Sequence, residues 1–257
     1  MEHRRLGRTG LRVSSVGLGT MTWGRDTDEL EAKEQLDIFL DTGGTLVDTA
    51  ASYGEGVSEE VIGALLREHV DRQDLVLVSK AGVRTWRTGE RSSVADASRG
   101  SLLDTLDTSL ARLGTDHLDL LLVQVPDPST SLEETAHALS MAVSSGRTRY
   151  VGIANHPAWA SVRMHDLLSE NGRGTGLAAV EVDAGHGFVG ALPGGLDRGP
   201  ERDHGQHAPS GSDQPTVVIE AGTGMQDVNT GKSLGLLDSR DEAGSEVSRA
   251  SGFSGLD

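Results

Sequence analysis

Residues 45–56 read TLVDTAASYGEG, and this stretch decides both the fold and the position of its candidate chemistry. Its apolar start predicts the end of a buried strand, with Asp48 at the carboxyl end and Tyr53 in the glycine-punctuated loop that follows. A second apolar run, LVLVSK, closes on Lys80. The carboxyl ends of parallel strands meet at one face of a barrel or one edge of a sheet. We therefore predict that these three side chains converge there.

Together the three side chains have the chemistry of a general acid. A tyrosine hydroxyl has an unperturbed pKa of about 10, and a neighbouring ammonium lowers that pKa because it favours the phenolate. Lys80 is expected to supply this charge, and Asp48 to hold the ammonium, since a buried lysine needs a partner. Such an assembly protonates a carbonyl oxygen as a hydride reaches the carbon. On spacing alone, three residues of these types without mutual contact are an equally good interpretation.

Outward from this stretch, short apolar strands alternate with amphipathic helices between residues 16 and 182. Besides the two strands already named, strands are predicted at 16–19, 118–123, 149–153 and 178–182. The intervening helices have apolar residues at helical spacing, and their ends are marked by the candidate caps Ser58, Gly114, Ser131 with Glu134, and Pro157. Strict alternation predicts a parallel α/β sheet with right-handed crossovers. The pattern allows a closed barrel and an open sheet equally. A turn-rich segment at 5–13 predicts a small hairpin that would cover the bottom of a barrel.

Five segments resemble, in order, the successive landmarks of the aldo-keto reductases. They read RRLGRTGLRVSSVGLGTMTWG, LVDTAASYGEGVSEEVIG, LVLVSKAG, LDLLLVQVPDPSTSLEET and RYVGIAN. The resemblance implies a (β/α)8 TIM-type barrel as a single domain over residues 1–257, NADPH as cofactor, and a small-molecule aldehyde or ketone reduced to an alcohol. Asp48, Tyr53 and Lys80 match three members of the family's catalytic tetrad. Gln124 stands where the family usually has a histidine, and its amide can donate a hydrogen bond but cannot carry charge.

The resemblance also implies which residues face the cofactor, namely Gly19, Thr20, Asp48, Asn155 and Glu181. Two positions depart from the family's pattern. Ala154 replaces a usual serine, so one hydrogen bond to the nicotinamide carboxamide is expected to be lost. Glu181 replaces a usual glutamine, so an acceptor-only carboxylate stands where an amide would donate.

The composition of the chain changes at residues 183–215, where glycine, proline and charged residues follow one another without the hydrophobic period of a helix or a strand. We predict an irregular or disordered insert that replaces barrel elements, since its length is about half of the roughly 60 residues that two barrel units need. The barrel is therefore expected to be incomplete or irregular after its sixth strand, with TVVI at 216–219 as one more short strand. Three histidines at 186, 204 and 207 lack a ligand pattern, so no metal site is predicted.

Composition excludes several classes of protein. With 257 residues, a formal charge of -16 and a pI near 4.9, the chain lacks the basic surface that nucleic-acid partners select. The sequence has no apolar run of about 18 residues, so no membrane association is expected. The amino-terminal residues lack a secretory signal and the chain has no cysteine, which favours a cytoplasmic location. The sequence does not indicate an oligomeric state.

Two rivals to a reductase stay open. The first is a catalytically silent, partly folded relative that acts as a binding module or has no independent function, and the irregular composition of 183–215 favours it. The second is a different α/β enzyme, but the chain contains neither a phosphate-binding loop motif nor a nucleophile elbow.

Overall fold

The computed structural model describes residues 1–86, 92–170 and 176–182, together with the backbone of 218–220. The strands in these ranges are β1 (His3–Arg5), β2 (Arg12–Ser14), β3 (Gly17–Gly19), β4 (Leu46–Asp48), β5 (Val76–Ala81), β6 (Val83–Trp86), β7 (Ser92–Ala95), β8 (Leu118–Val123), β9 (Thr148–Ala154), β10 (Ala179–Val182) and β11 (Val218–Glu220). The helices are α1 (Glu29–Asp41), α2 (Val57–Glu68), α3 (Arg99–Leu113), α4 (Leu132–Ser144) and α5 (Ala158–Glu170). Short 3-10 turns occupy Tyr53–Gly56 and Arg72–Asp74.

One parallel sheet organises the molecule. Its seven strands lie in the order β11-β10-β9-β8-β5-β4-β3, and every neighbouring pair is parallel. The sheet curls into part of a barrel, so the prediction of an α/β (β/α)8 TIM-type barrel that is incomplete is confirmed. Because all strands run in one direction, their carboxyl ends share one face of the partial barrel.

Local signals explain several helix boundaries. Asp28 caps α1 by accepting a hydrogen bond from the backbone nitrogen of Glu31, whose side chain accepts from the Asp28 nitrogen in return. Gly114 ends α3 in the left-handed conformation, with φ 66°, as predicted. The prediction that Ser58 caps α2 is wrong. Gly56 occupies the cap with φ 99°, and the Ser58 hydroxyl instead donates to the Thr20 carbonyl at 2.9 Å.

Two apolar clusters hold the sheet, one on each side. Alternate residues of a strand face opposite sides, and the outward set packs against the helices around Val47, Leu77 and Leu121. The inward set includes Leu46, Val78, Leu120, Leu122 and Ala179, and it packs against Leu6 and Val13. Those two residues belong to the predicted amino-terminal hairpin, in which β1 and β2 pair antiparallel. The hairpin therefore covers the amino-terminal end of the barrel interior.

Beyond β10 the description is restricted to β11. It pairs parallel with β10, with Val180 opposite Val218, which agrees with the short strand predicted at 216–219. The insert predicted at 183–215, and with it the single-domain boundary at residue 257, lie outside the described residues. A two-stranded antiparallel ribbon of β6 and β7, which the sequence patterns did not predict, follows β5. Within the described ranges, the helices are too short or too polar to cross a bilayer.

Asp119 ties the amino-terminal ends of two strands together. Its buried carboxylate accepts from the Leu77 backbone nitrogen at 2.9 Å and pairs with the Arg72 guanidinium at 2.8 Å. We expect Asp119→Asn to lower the free energy of unfolding by about 1 to 2 kcal/mol, because a hydrogen bond to a charged group becomes a neutral one. Urea denaturation monitored by circular dichroism measures this change. An unchanged unfolding midpoint would show that the charge of Asp119 adds nothing to the fold.

Candidate functional site

The inward-facing positions turn from apolar to polar at the carboxyl ends of four strands. Two residues after each inward apolar residue, and hence on the same face of the sheet, lie the polar residues Asp48, Lys80, Gln124 and Glu181. The strand register staggers them, since Asp48 lies opposite Val78, Lys80 opposite Leu122, and Glu181 opposite Ala154. The sheet therefore collects a polar cluster at its carboxyl end, above the apolar interior.

Lys80 is at the centre of this cluster. Its ammonium donates to both carboxylate oxygens of Asp48, at 2.6 and 2.5 Å, and forms an ion pair with Glu181 at 3.2 Å. All three side chains are buried, with Lys80 only 2% exposed. A buried charge is stable only when it is paired, and here the ammonium has two anionic neighbours. The predicted contact between Asp48 and Lys80 is present in the structure.

Tyr53 reaches the cluster from the loop after β4. The loop is held against the sheet by backbone hydrogen bonds, including one from the Ala51 nitrogen to the Lys80 carbonyl at 3.1 Å. The chain then reverses through Gly54 and Glu55, both with positive φ, into the Gly56 cap of α2. This path places the Tyr53 hydroxyl 3.2 Å from the Lys80 ammonium. Asp48, Tyr53 and Lys80 thus converge as predicted.

Burial and ion pairing shift the pKa values of Lys80 and Asp48 in opposite directions. Burial acts to lower the pKa of Lys80, but the negative charges of Asp48 and Glu181 reverse this and raise its pKa well above the ordinary value. For Asp48, burial raises the pKa of the carboxyl group while Lys80 opposes the shift. Because both carboxylate oxygens contact the ammonium, the ionised pair is the form that this geometry stabilises.

The pKa of Tyr53 differs from the sequence-based prediction. Lys80 does act to lower it, but burial of the hydroxyl raises it by more, and the negative charges of Asp48 and Glu181 raise it further. The net result is a Tyr53 pKa above the ordinary value of about 10. The hydroxyl therefore holds its proton across the neutral range, as a hydrogen-bond donor and proton source rather than a phenolate.

Gln124 lies at the carboxyl end of β8, next to the same loop. The hydroxyl of Ser52 donates to its Oε1 at 2.9 Å, and its backbone nitrogen donates to the Ala81 carbonyl at 2.8 Å. With Oε1 accepting from Ser52, the amide nitrogen is the end of the side chain that can donate to a carbonyl oxygen. Sequence reasoning missed Ser52. Its position directly before Tyr53 could have indicated a role in the site, but only if the path of this loop next to the end of β8 had been known.

The predicted cofactor-facing residues lie in different surroundings. Gly19 is exposed at the end of β3, and a Cβ placed on it would meet nothing within 4 Å. Asn155 is also exposed and holds a left-handed φ of 59°, while its backbone nitrogen donates to the Glu181 carbonyl at 2.9 Å. Thr20 is fully buried, and its hydroxyl lies 3.0 Å from the Asp48 carbonyl and 2.8 Å from the Ser58 hydroxyl. Glu181 faces Lys80, a contact that sequence reasoning did not foresee.

These surroundings agree with a ligand site in one respect. The space over Gly19 is open and the exposed Asn155 has a left-handed backbone conformation, and residues in such conformations concentrate at ligand sites. Among the described residues, His and acidic side chains do not form a group of three or more that could hold a metal ion. The three histidines at 186, 204 and 207 lie outside the described residues.

Comparisons with known proteins match this part of the chain to one family. The model of the aldo/keto reductase family matches residues 15–184. Aldo-keto reductase YhdN of Bacillus subtilis is 36% identical over 160 residues, which are 60% of this chain and 47% of the relative. L-glyceraldehyde 3-phosphate reductase of Escherichia coli is 37% identical over 175 residues, 66% of this chain and 50% of the relative.

A solved structure agrees with the sequence matches. The holo form of an aldo-keto reductase from Bacillus halodurans superimposes with a TM-score of 0.59 at 29% identity, covering 71% of this chain and 57% of that one. The chain spans about half the length of the curated relatives it matches. Residues 15–184, which the family model matches, include every residue of the cluster around Lys80.

Proposed function

Because this chain belongs to the aldo/keto reductase family, we propose that it is an NADPH-dependent oxidoreductase that reduces a small-molecule aldehyde or ketone to an alcohol. The observation that carries the proposal is the contact of the Tyr53 hydroxyl with the buried Lys80 ammonium, which Asp48 holds through both carboxylate oxygens. The proposal includes NADPH as the hydride donor and the cytoplasm as the compartment, as the family resemblance and the composition suggest.

The chemistry follows from the positions of the side chains. When bound, the nicotinamide supplies the hydride. The Tyr53 hydroxyl donates its proton to the carbonyl oxygen as negative charge develops there, and the Lys80 ammonium stabilises the phenolate that remains. The Gln124 amide, oriented by Ser52, donates a second hydrogen bond that places the carbonyl oxygen beside Tyr53. Gly19, Thr20, Asn155 and Glu181 complete the proposed cofactor-facing wall.

The substrate class in this proposal is limited to a carbonyl carbon next to a neutral or weakly polar group. One relative is named as an L-glyceraldehyde 3-phosphate reductase, and we extend the reduction of a small carbonyl compound to this chain as part of the proposal. Asp48 and Glu181 together carry more negative charge than Lys80 neutralises, which disfavours an anionic group close to the carbonyl.

The pH dependence of the reaction tests this assignment. With the pKa of Tyr53 raised above about 10, the hydroxyl is protonated at lower pH, and we expect carbonyl reduction to be independent of pH from about 7 to 9.5. Alcohol oxidation needs the phenolate, so its rate should rise about tenfold per pH unit over the same range. Absorbance of NADPH at varied pH, with a panel of aldehydes and ketones, measures both directions.

The rival interpretation predicts a different outcome. A silent relative would show no carbonyl-dependent loss of NADPH, and NADPH at millimolar concentration would leave its thermal unfolding midpoint unchanged, since a ligand stabilises only the state that it binds. A cooperative unfolding transition that moves upward with NADPH, together with turnover of any carbonyl in the panel, supports the reductase. A stable fold that ignores NADPH excludes it.

A further inference from the structure

Glu181 gives Lys80 a second buried counter-ion. Asp48 alone already contacts the ammonium with both of its oxygens, and this bidentate contact supplies the opposite charge that a buried lysine needs. Glu181 then adds a carboxylate oxygen at 3.2 Å, on a side chain that is 3% exposed. One ammonium faces two carboxylates, so the three side chains carry a formal net charge of one negative unit.

The surrounding strands hold Glu181 in this position. β10 pairs with β9 through Ala179, Val180 and Glu181 itself, and the Glu181 carbonyl accepts from the Asn155 nitrogen at 2.9 Å. The sheet therefore fixes the backbone of Glu181, and its carboxylate is a buried group paired with Lys80 rather than a mobile surface side chain. Gln124 contributes an uncharged amide after the end of β8. In the part of the chain that the structure describes, the charges that face the ammonium come from β4 and β10, and the Tyr53 hydroxyl is the other titratable neighbour.

We propose that Glu181 is a positioning residue that shares the Lys80 ammonium with Asp48 and thereby keeps the Tyr53 hydroxyl in its proton-holding form. The inference rests on the proposed function for its catalytic meaning, because only a reductase uses the Tyr53 proton. The negative charge of Glu181 acts on Tyr53 directly and offsets part of the attraction that Lys80 exerts on a phenolate. The site is thus biased toward carbonyl reduction and against alcohol oxidation.

The electrostatic influence on Tyr53 has the direction that this inference requires. Burial raises the pKa of Tyr53, Lys80 opposes that rise, and Asp48 and Glu181 each add to it. A neutral amide at position 181 removes one of the two negative charges while leaving the burial and the ammonium in place. Tyr53 should then become a stronger acid, since a nearby charge shifts a pKa by about 1 to 3 units.

A matched control is present on the other side of the sheet. Glu59 is also a buried carboxylate, but it accepts from Ser79, which alternates with Lys80 and faces the helices, and it pairs with Arg112 at 3.2 Å. Glu59 does not figure among the charges that act on Tyr53. Glu59→Gln therefore makes the same chemical change as Glu181→Gln without altering the surroundings of the ammonium.

The experiment is a titration of the tyrosine ring carbons by NMR. The chain has two tyrosines, so labelling of Cζ with carbon-13 gives two signals, and Tyr150→Phe assigns them. We expect Glu181→Gln to lower the pKa of Tyr53 by about one unit, a tenfold stronger acid, and Glu59→Gln to leave it unchanged. Alcohol oxidation at neutral pH should rise by a similar factor in Glu181→Gln, and carbonyl reduction should begin to fall at a lower pH.

The titration uses the protein without cofactor or substrate, so it separates this inference from the reductase assignment. An unchanged Tyr53 titration in a folded Glu181→Gln variant overturns the role of Glu181, whatever the activity. A shifted titration without any turnover of NADPH upholds the role of Glu181 and rejects the reductase. Should circular dichroism show Glu181→Gln to be unfolded, Glu181→Met removes the same charge with an apolar side chain of similar length, and the same two outcomes apply.

Discussion

Carbonyl reduction should fall by about 10²- to 10⁴-fold in Tyr53→Phe, which is the usual contribution of a positioned general acid. The phenylalanine ring preserves the packing of the loop after β4 and removes only the hydroxyl that lies 3.2 Å from the Lys80 ammonium. The loss should appear in kcat, since the proton is transferred in the transition state, while KM changes little. Initial rates of NADPH oxidation with the best carbonyl of the panel measure this effect.

The second tyrosine supplies the control. Tyr150 lies in β9 and packs against the inner apolar cluster beneath the hairpin, away from Lys80. Tyr150→Phe should keep kcat within about twofold of the wild type. If Tyr53→Phe retained the full rate, the proton would have to come from another group or from water, and the role assigned to Tyr53 would be wrong.

Lys80→Met should lower the free energy of unfolding by about 3 to 5 kcal/mol, because removal of one partner from a buried ion pair leaves uncompensated buried charge. Asp48 and Glu181 are both buried against the ammonium, and each loses it in this variant. Methionine has nearly the same length, so the change tests charge more than volume. Urea denaturation monitored by far-UV circular dichroism gives the free energy.

A surface lysine provides the comparison for this variant. Lys33 pairs with Asp37 on the exposed side of α1, at the helical spacing of four residues. Such pairs contribute about 0.2 to 0.5 kcal/mol, so Lys33→Met should be close to neutral. Addition of Asp48→Asn and Glu181→Gln to Lys80→Met should recover most of the lost stability, since no buried charge then remains in the cluster. Equal stability of Lys80→Met and Lys33→Met would contradict the cluster as described.

The sequence predicted those parts of the fold that depend on short-range patterns. The strand at 118–123 is a continuous apolar run and was predicted with the bounds that the structure has. Gly114 ends α3 as expected, because the left-handed conformation at a helix end favours glycine. Asp48 and Lys80 could be predicted to lie together because the carboxyl ends of parallel strands share one face of a sheet. That rule does not depend on the order of the strands within the sheet.

Other features depend on distances that no local pattern encodes. Glu181 meets Lys80 only because β10, β9, β8 and β5 curl until distant strands face each other across the interior. Ser58 has the right residue type for a helix cap, but the Thr20 carbonyl and hydroxyl offered its side chain nearer partners. The direction of the Tyr53 pKa was misjudged for a related reason, because burial and the second carboxylate are properties of the folded chain.

The order of the strands also sets the order in which the site can assemble. Within the sheet, each strand from β4 to β10 pairs with the sheet strand that precedes it in the chain. Each pairing therefore joins two strands that are close in sequence. A chain leaving the ribosome emerges amino end first, and it can therefore join Asp48 to Lys80 early, add Gln124 next and reach Glu181 last. The cluster passes from neutral to negatively charged only at that final step, when Asp48 and Lys80 are already paired.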